Sequence, residues 1–158
     1  MKARSHADQP AIAGFFIFSD KRFLTESFMR LITVHEYLMG RDQSYSDDYT
    51  PELAANARRT VECINAFLQA GGFDGHVNSG WRPPAVNGVT KGAAPHSKHM
   101  QALACDLFDP GGLIDRFCLE KPEVLERIGL WQETPGSTPG WCHLQIVPPA
   151  SGHRVFIP

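Results

Sequence analysis

No stretch of this chain is apolar for long enough to cross a bilayer, which takes about 20 such residues in a row. The most apolar run near the start, Ala11 to Phe18, is short. It lacks a small-residue cleavage site and meets Asp20, Lys21 and Arg22 at once, so it does not read as a secretory signal. An excess of one charge is also missing. Fifteen Lys and Arg stand against 17 Asp and Glu, a formal net charge of −2. That leaves no broad basic footprint for nucleic acid. Cysteine is sparse: Cys63, Cys105, Cys118 and Cys142 have no C-x-x-C spacing, so they build no structural zinc knot. Without a secretory signal they read as free thiols of a chain made in a reducing cytosol. Repeats, low-complexity tracts and a dividing linker are absent too. The 158 residues therefore read as one domain, with residues 1–14 as a loosely ordered leader.

What is present is enough apolar material for a core, 42% of residues, laid out in two periodicities. Ser19 is a candidate N-cap. From Asp20, the positions Phe23, Ser27, Leu31, Ile32, His35 and Leu38 fall near helical spacing, and Gly40 is a natural stop. His35 reads as a packed or half-exposed side chain, not a ligand. Arg41 to Tyr49 is polar and reads as a loop. Thr50-Pro51 opens a second helix as N-cap and first-turn proline. Its buried face is Leu53, Ala57, Val61, Ile64, Phe67 and Leu68, and Gly71-Gly72 ends it. Short strands are expected over Val77–Trp81 and Leu103–Asp109. Helical pieces follow over Leu113–Leu119 and Glu123–Ile128, with Asp115, Glu120 and Glu126 solvated. Gly129–Glu133 and Trp141–Val147 read as a hairpin around the loop 134–140, Pro148-Pro149 ends the sheet, and 151–158 is a tail. The expected class is α+β, a small mostly antiparallel sheet with helices packed on one face.

The chemistry gathers in Ser97 to Asp106 and in Trp141-Cys142-His143. These stretches supply two imidazoles and a carboxylate, the ligand types of a catalytic zinc site, which takes three protein ligands and leaves a fourth position for water. Side chains alternate faces along a strand. Ala104, Asp106 and Phe108 therefore share one face, and Trp141, His143 and Gln145 share one face of the second strand. If those strands pair, Asp106 and His143 converge, small Ala104 leaves room for an ion, and His99 closes the site from the preceding loop. The same parity turns Cys105 and Cys142 away, where the two thiols could approach each other. The plainer alternative is a buried Asp–His pair with a surface histidine.

The pattern S-x-H-x-x-(G/A)-x-A-x-D at Ser97 to Asp106, followed by W-x-H at Trp141 to His143, resembles the zinc D-Ala-D-Ala carboxypeptidase and phage endolysin family. That group includes lysostaphin-type and hedgehog-type domains. The resemblance runs from Asn78 to the end. It implies a hedgehog/D-Ala-D-Ala-peptidase-like fold and one zinc ion held by His99, Asp106 and His143. The implied reaction is hydrolysis of a bond in the bacterial peptidoglycan stem peptide, either D-Ala-D-Ala or L-Ala-D-Glu. A compact monomer without a secretory signal looks like a phage-type lysis enzyme, made in the bacterial cytoplasm and released to the wall by another factor. Ser79-Gly80-Trp81-Arg82 resembles the family's S-G-(aromatic)-R segment, so Arg82 is the expected contact to a substrate carboxylate or developing oxyanion. The alternative is a surface arginine at a turn. Asn87 matches the downstream asparagine and orders the loop or meets substrate. Ser97 bonds within its loop or contacts substrate, and His96 stays outside the ligand set.

Peptide hydrolysis also needs a proton shuttle between water and leaving amine. Relatives place an acid or a histidine two or three residues before the last ligand, where this chain has Gly140 and Trp141. Glu133 is the expected replacement. An odd-length loop over 134–140 sets Glu133 opposite Trp141 and diagonal to His143, roughly 7–8 Å away at Cα on the same face. An exposed strand-end carboxylate is the alternative, and Asp109 is a weaker candidate because its parity is wrong. Two rivals remain: a non-hydrolytic zinc-containing domain of hedgehog-like type, and a thiol hydrolase using Cys105 or Cys142 with His143.

Overall fold

A computed structural model describes residues 29–158. Its elements in chain order are helices α1 (Val34–Leu38), α2 (Arg41–Ser44) and α3 (Pro51–Gly71), strand β1 (Val77–Ser79), helix α4 (Pro84–Val89), strand β2 (Ala104–Phe108), helices α5 (Leu113–Glu120) and α6 (Pro122–Ile128), and strands β3 (Trp131–Glu133), β4 (Trp141–Gln145) and β5 (Val155–Phe156). Tight helical turns at Lys98–Gln101 and Pro135–Ser137 link them. The class is α+β, as the two periodicities imply.

The first expected helix is shorter than its apolar spacing suggests. The part over 20–28 lies outside the described residues. Residues 29–33 are not helical, because Thr33 caps α1 in a reciprocal capping box with Glu36. Arg41–Ser44 forms a short helix where a loop was expected. α3 matches its reading closely. The Thr50 hydroxyl accepts from the Leu53 amide, Pro51 occupies the first turn, Ala57, Val61, Ile64, Phe67 and Leu68 are buried, and Gly72 closes the helix at φ 71°.

The sheet has the order β1-β2-β4-β3-β5. All neighbours are antiparallel except β3 and β5, which run parallel. The stretch expected to be a free tail therefore supplies an edge strand. The Gln132 amide donates to the Arg154 carbonyl, Thr134 donates to Phe156, and the Arg154 side chain lies 4.4 Å over the Trp131 ring. β2 and β4 pair with Asp106 opposite His143 and Leu107 opposite Cys142. β3 and β4 pair with Trp131 opposite Gln145 and Gln132 opposite Leu144. One further step along that register brings Glu133 level with His143, not Trp141. The offset from the expected hairpin is two residues, which keeps the face because side chains alternate with period two.

One sheet face builds the core. Cys105, Leu107, Cys142 and Leu144 point into it. α3 packs on β2 and α6, and α5 packs on β4. All four cysteines are free, and the thiol that interacts with Cys142 is that of Cys118 on α5. Asp115 corrects its reading. It is buried, and its carboxylate accepts from Gln132 Nε2 at 2.8 Å, because α5 turns that side chain under β3. Asp109, the weaker base candidate, instead accepts from the Leu113 and Asp115 amides at 2.8 and 2.9 Å at the start of α5.

Gly80 is where a side chain cannot be added. A Cβ there would lie 1.8 Å from the Tyr37 carbonyl oxygen, and a backbone atom cannot swing aside. Gly80→Ala should lower stability by at least ~3 kcal/mol, the scale of forced overpacking with backbone displacement. Urea unfolding of the variant checks this, and a midpoint equal to wild type would refute the close approach.

Candidate metal centre

Three elements bring the ligand group together. Asp106 of β2 and His143 of β4 are direct cross-strand partners, so their side chains rise from the same face. His99 sits in the turn Lys98–Gln101 just before β2, and three side chains fix that turn. Trp81 Nε1 donates to the Met100 carbonyl at 3.2 Å, Asn56 to Gln101 at 3.0 Å and the Thr60 hydroxyl to Ala102 at 2.8 Å. Ala102 takes a left-handed conformation at φ 55°, uncommon for a residue with a side chain, and the Thr60 hydrogen bond to its carbonyl helps hold it.

The ligating atoms of His99, Asp106 and His143 all lie within 4.8 Å of one another, and the three side chains are buried. Asp106 Oδ1 is 2.7 Å from His143 Nδ1 and 3.2 Å from His99 Nε2, and the two ring nitrogens are 3.2 Å apart. His99 Nδ1 lies 2.7 Å from the Gly80 carbonyl. A carbonyl only accepts, so Nδ1 carries the hydrogen and the Nε2 of the neutral ring presents a lone pair. That lone pair faces a carboxylate oxygen. Two acceptors in contact need a cation between them, and an imidazole whose far nitrogen donates to a backbone carbonyl is the usual form of a metal-bound histidine. The group can therefore hold a metal ion.

Electrostatics point the same way. Burial pushes His99 below the ordinary imidazole value, which keeps it neutral. Burial would raise Asp106, but the proximity of His99 and the hydrogen bond from His143 outweigh it and hold the carboxyl well below the usual range. Both directions favour the ligand-competent forms. The sign for the metal-free protein follows. An unfolded histidine takes a proton near pH 6.5, which buried His99 resists, so stability declines as pH falls below that value. The Asp106 contribution is present above its unfolded pKa and is lost at still lower pH, as pH falls through its depressed folded value. The denaturation midpoint of metal-free protein should therefore hold between pH 8 and about 6.5 and fall on acidification from there to pH 4. A midpoint that rises toward acid would contradict the buried neutral imidazole.

The group opens into a cavity of about 640 Å³. Arg82, Ser97, Glu133 and Gln145 line it, as do Phe156 and Pro158 of the C-terminal segment. Arg82 is half-buried. Its Nη2 donates to Ser97 Oγ at 3.0 Å, and its Nε is buried with no hydrogen-bond partner among the described residues. Ser97 also accepts from the His99 amide, so it ties the arginine to the ligand loop. Burial pushes Glu133 up, while His143 and Arg82 pull it back. Asn87 is buried within α4 and donates to the Ala94 carbonyl at 3.0 Å. It orders the loop and is not one of the residues lining the cavity. His96 is exposed at the rim and outside the ligand group. Cys105 and Cys142 are fully buried on the opposite sheet face, and both thiols are pushed well up, Cys105 mainly by burial and Cys142 by its contact with Cys118 and by burial. Neither can serve as a nucleophile on this side.

Sequence reasoning missed Arg41, Thr138 and the C-terminal wall. Arg41 lay in a stretch read as a polar loop. Thr138 lay in a linker-like loop, yet its hydroxyl is buried at the cavity without a partner among the described residues. No protein-family model, characterised protein or solved structure matches the chain.

Proposed function

We propose that this chain is a zinc-dependent peptidase of the D-Ala-D-Ala carboxypeptidase and endolysin type, acting on the peptidoglycan stem peptide. The observation that carries the reading is the convergence of His99, Asp106 and His143 in a cavity that also holds Glu133 and Arg82. Two imidazoles and a carboxylate suit zinc, which when bound would polarise a carbonyl and lower the pKa of water. His99, Asp106 and His143 would hold the ion. Glu133 takes a proton from the attacking water and returns it to the leaving amine. Arg82 orients the substrate through a carboxylate or carbonyl oxygen, with Ser97 fixing its guanidinium. No helix among the described residues is long and apolar enough to cross a membrane. We read the protein as a monomer made in the bacterial cytoplasm and released to the wall by another factor.

Mass spectrometry of digested, purified peptidoglycan tests the activity, because fragment masses name the bond cut: D-Ala-D-Ala or L-Ala-D-Glu. Absence of any cleavage by zinc-loaded protein would favour the non-hydrolytic, hedgehog-like reading. That rival draws on Gly140 and Trp141, which carry no proton-transfer group where relatives have one.

Arg82→Ala should retain zinc and fold, yet lose on the order of 10²-fold or more in kcat/KM, the scale for one positioned electrostatic contact. Wild-type kinetics with the variant would leave Arg82 only a loop-ordering role.

A further inference from the structure

The Arg82 guanidinium does not stand alone. Arg41, at the start of α2, reaches across to the same peptide unit: its Nη1 donates to the Trp81 carbonyl at 2.5 Å, the group bonded directly to the Arg82 nitrogen. Both side chains are partly buried and line the cavity that holds the metal-ligand group. Among the described residues neither forms an ion pair. The Asp106 and Glu133 carboxylates favour the charged form of Arg82 without hydrogen-bonding to it, and among the described residues no carboxylate is in hydrogen-bond contact with Arg41. Burial and the nearby Arg82 charge both disfavour the charged form of Arg41.

Two partly desolvated like charges cost free energy unless an anion joins them. Arg82 Nε is a buried donor with nothing to bind, and leaving such a donor unmade is itself unfavourable. Planar guanidinium forks match carboxylate oxygens in pairs, which a lone ammonium does not. Lys91 and Lys98 also border the cavity, so its approach is cationic beyond the pair. These features converge on one ligand chemistry.

We propose that Arg41 and Arg82 together form a subsite for a carboxylate of the substrate, so that the preferred peptides carry a free carboxylate close to the scissile bond. This rests on the peptidase reading above. Arg41 is the residue it adds, as a determinant of which stem peptides are accepted.

The test uses the zinc-loaded full chain and two synthetic stem pentapeptides, one with free carboxylates and one with every carboxylate converted to a carboxamide. Binding is read by calorimetry and hydrolysis separately by mass spectrometry. Wild type should bind the free acid at least about tenfold more tightly, the scale of a charge-assisted hydrogen bond. Arg41→Gln should abolish most of that preference while keeping zinc content. Arg41→Lys, which keeps the charge and can still reach the Trp81 carbonyl, should retain part of it and guards against a folding defect in the first variant. Equal binding of the two peptides by wild type, binding of neither, or an undiminished preference in a folded Arg41→Gln, would overturn the subsite. Hydrolysis without a carboxylate preference would sink the subsite and leave the peptidase reading standing. Carboxylate-dependent binding without hydrolysis would do the reverse.

Discussion

His99→Ala should lose zinc and turnover together. The side chain is fully buried and makes two kinds of contact: Nε2 toward Asp106 and His143, and Nδ1 to the Gly80 carbonyl. Removing it deletes one of the three side chains proposed to hold the ion and also the hydrogen bond that orients it. Losing a residue that merely supports a ligand typically weakens metal affinity by 10–100-fold. Losing the ligand itself should exceed ~10²-fold, and stoichiometric zinc should no longer survive gel filtration. Asp106→Asn is the sharper partner variant. It keeps shape and removes the charge that offsets the ion, so zinc loss there separates electrostatics from packing. Elemental analysis together with a thermal midpoint reads both outcomes. A folded His99→Ala that still carries one zinc per chain would assign the metal to other ligands and dismantle the site.

The ligand group was legible because it depends on parity, and parity is robust. Asp106 and His143 needed only the right face, and alternation along β2 and β4 supplied it once the strands paired. Glu133 kept its expected sheet face for the same reason: the hairpin register is two residues from the one drawn, and an even slip preserves the face. The features that escaped depend on distant partners. Val155 and Phe156 are too few to signal a strand, and only pairing with β3 makes them one. Asp115 looks like a solvated helix carboxylate until Gln132 is placed beside it. Arg41 has the local signature of a wet loop residue, and its meaning comes from a carbonyl forty positions away in the chain. Residues 29–33 of the first expected helix are not helical because the apolar spacing continues through residues where Thr33 caps a helix that begins only at Val34.

Glu133→Gln should keep zinc and fold but hydrolyse at least ~10²-fold more slowly, the usual scale for loss of a general base. The substitution preserves volume and one acceptor oxygen while removing the group that holds the proton. Three observations support the proposed role. β3 ends at Glu133, and the β3–β4 register carries it level with the ligand His143. It lines the same cavity as the three ligands. The side chain is half-buried, and the charges acting on it are those of His143, Asp106 and Arg82, which line the same cavity. Burial raises its pKa, which brings a carboxylate closer to the range where accepting and returning a proton are both feasible. The pH profile gives an independent reading. If ionised Glu133 is the base, the acidic limb of kcat/KM should follow a group titrating above the ordinary glutamate value, and that limb should disappear from whatever residual activity the glutamine variant retains. Near-normal turnover with Glu133→Gln would exclude the assignment. Retention of the acidic limb in that variant would transfer the base role to another group in the cavity.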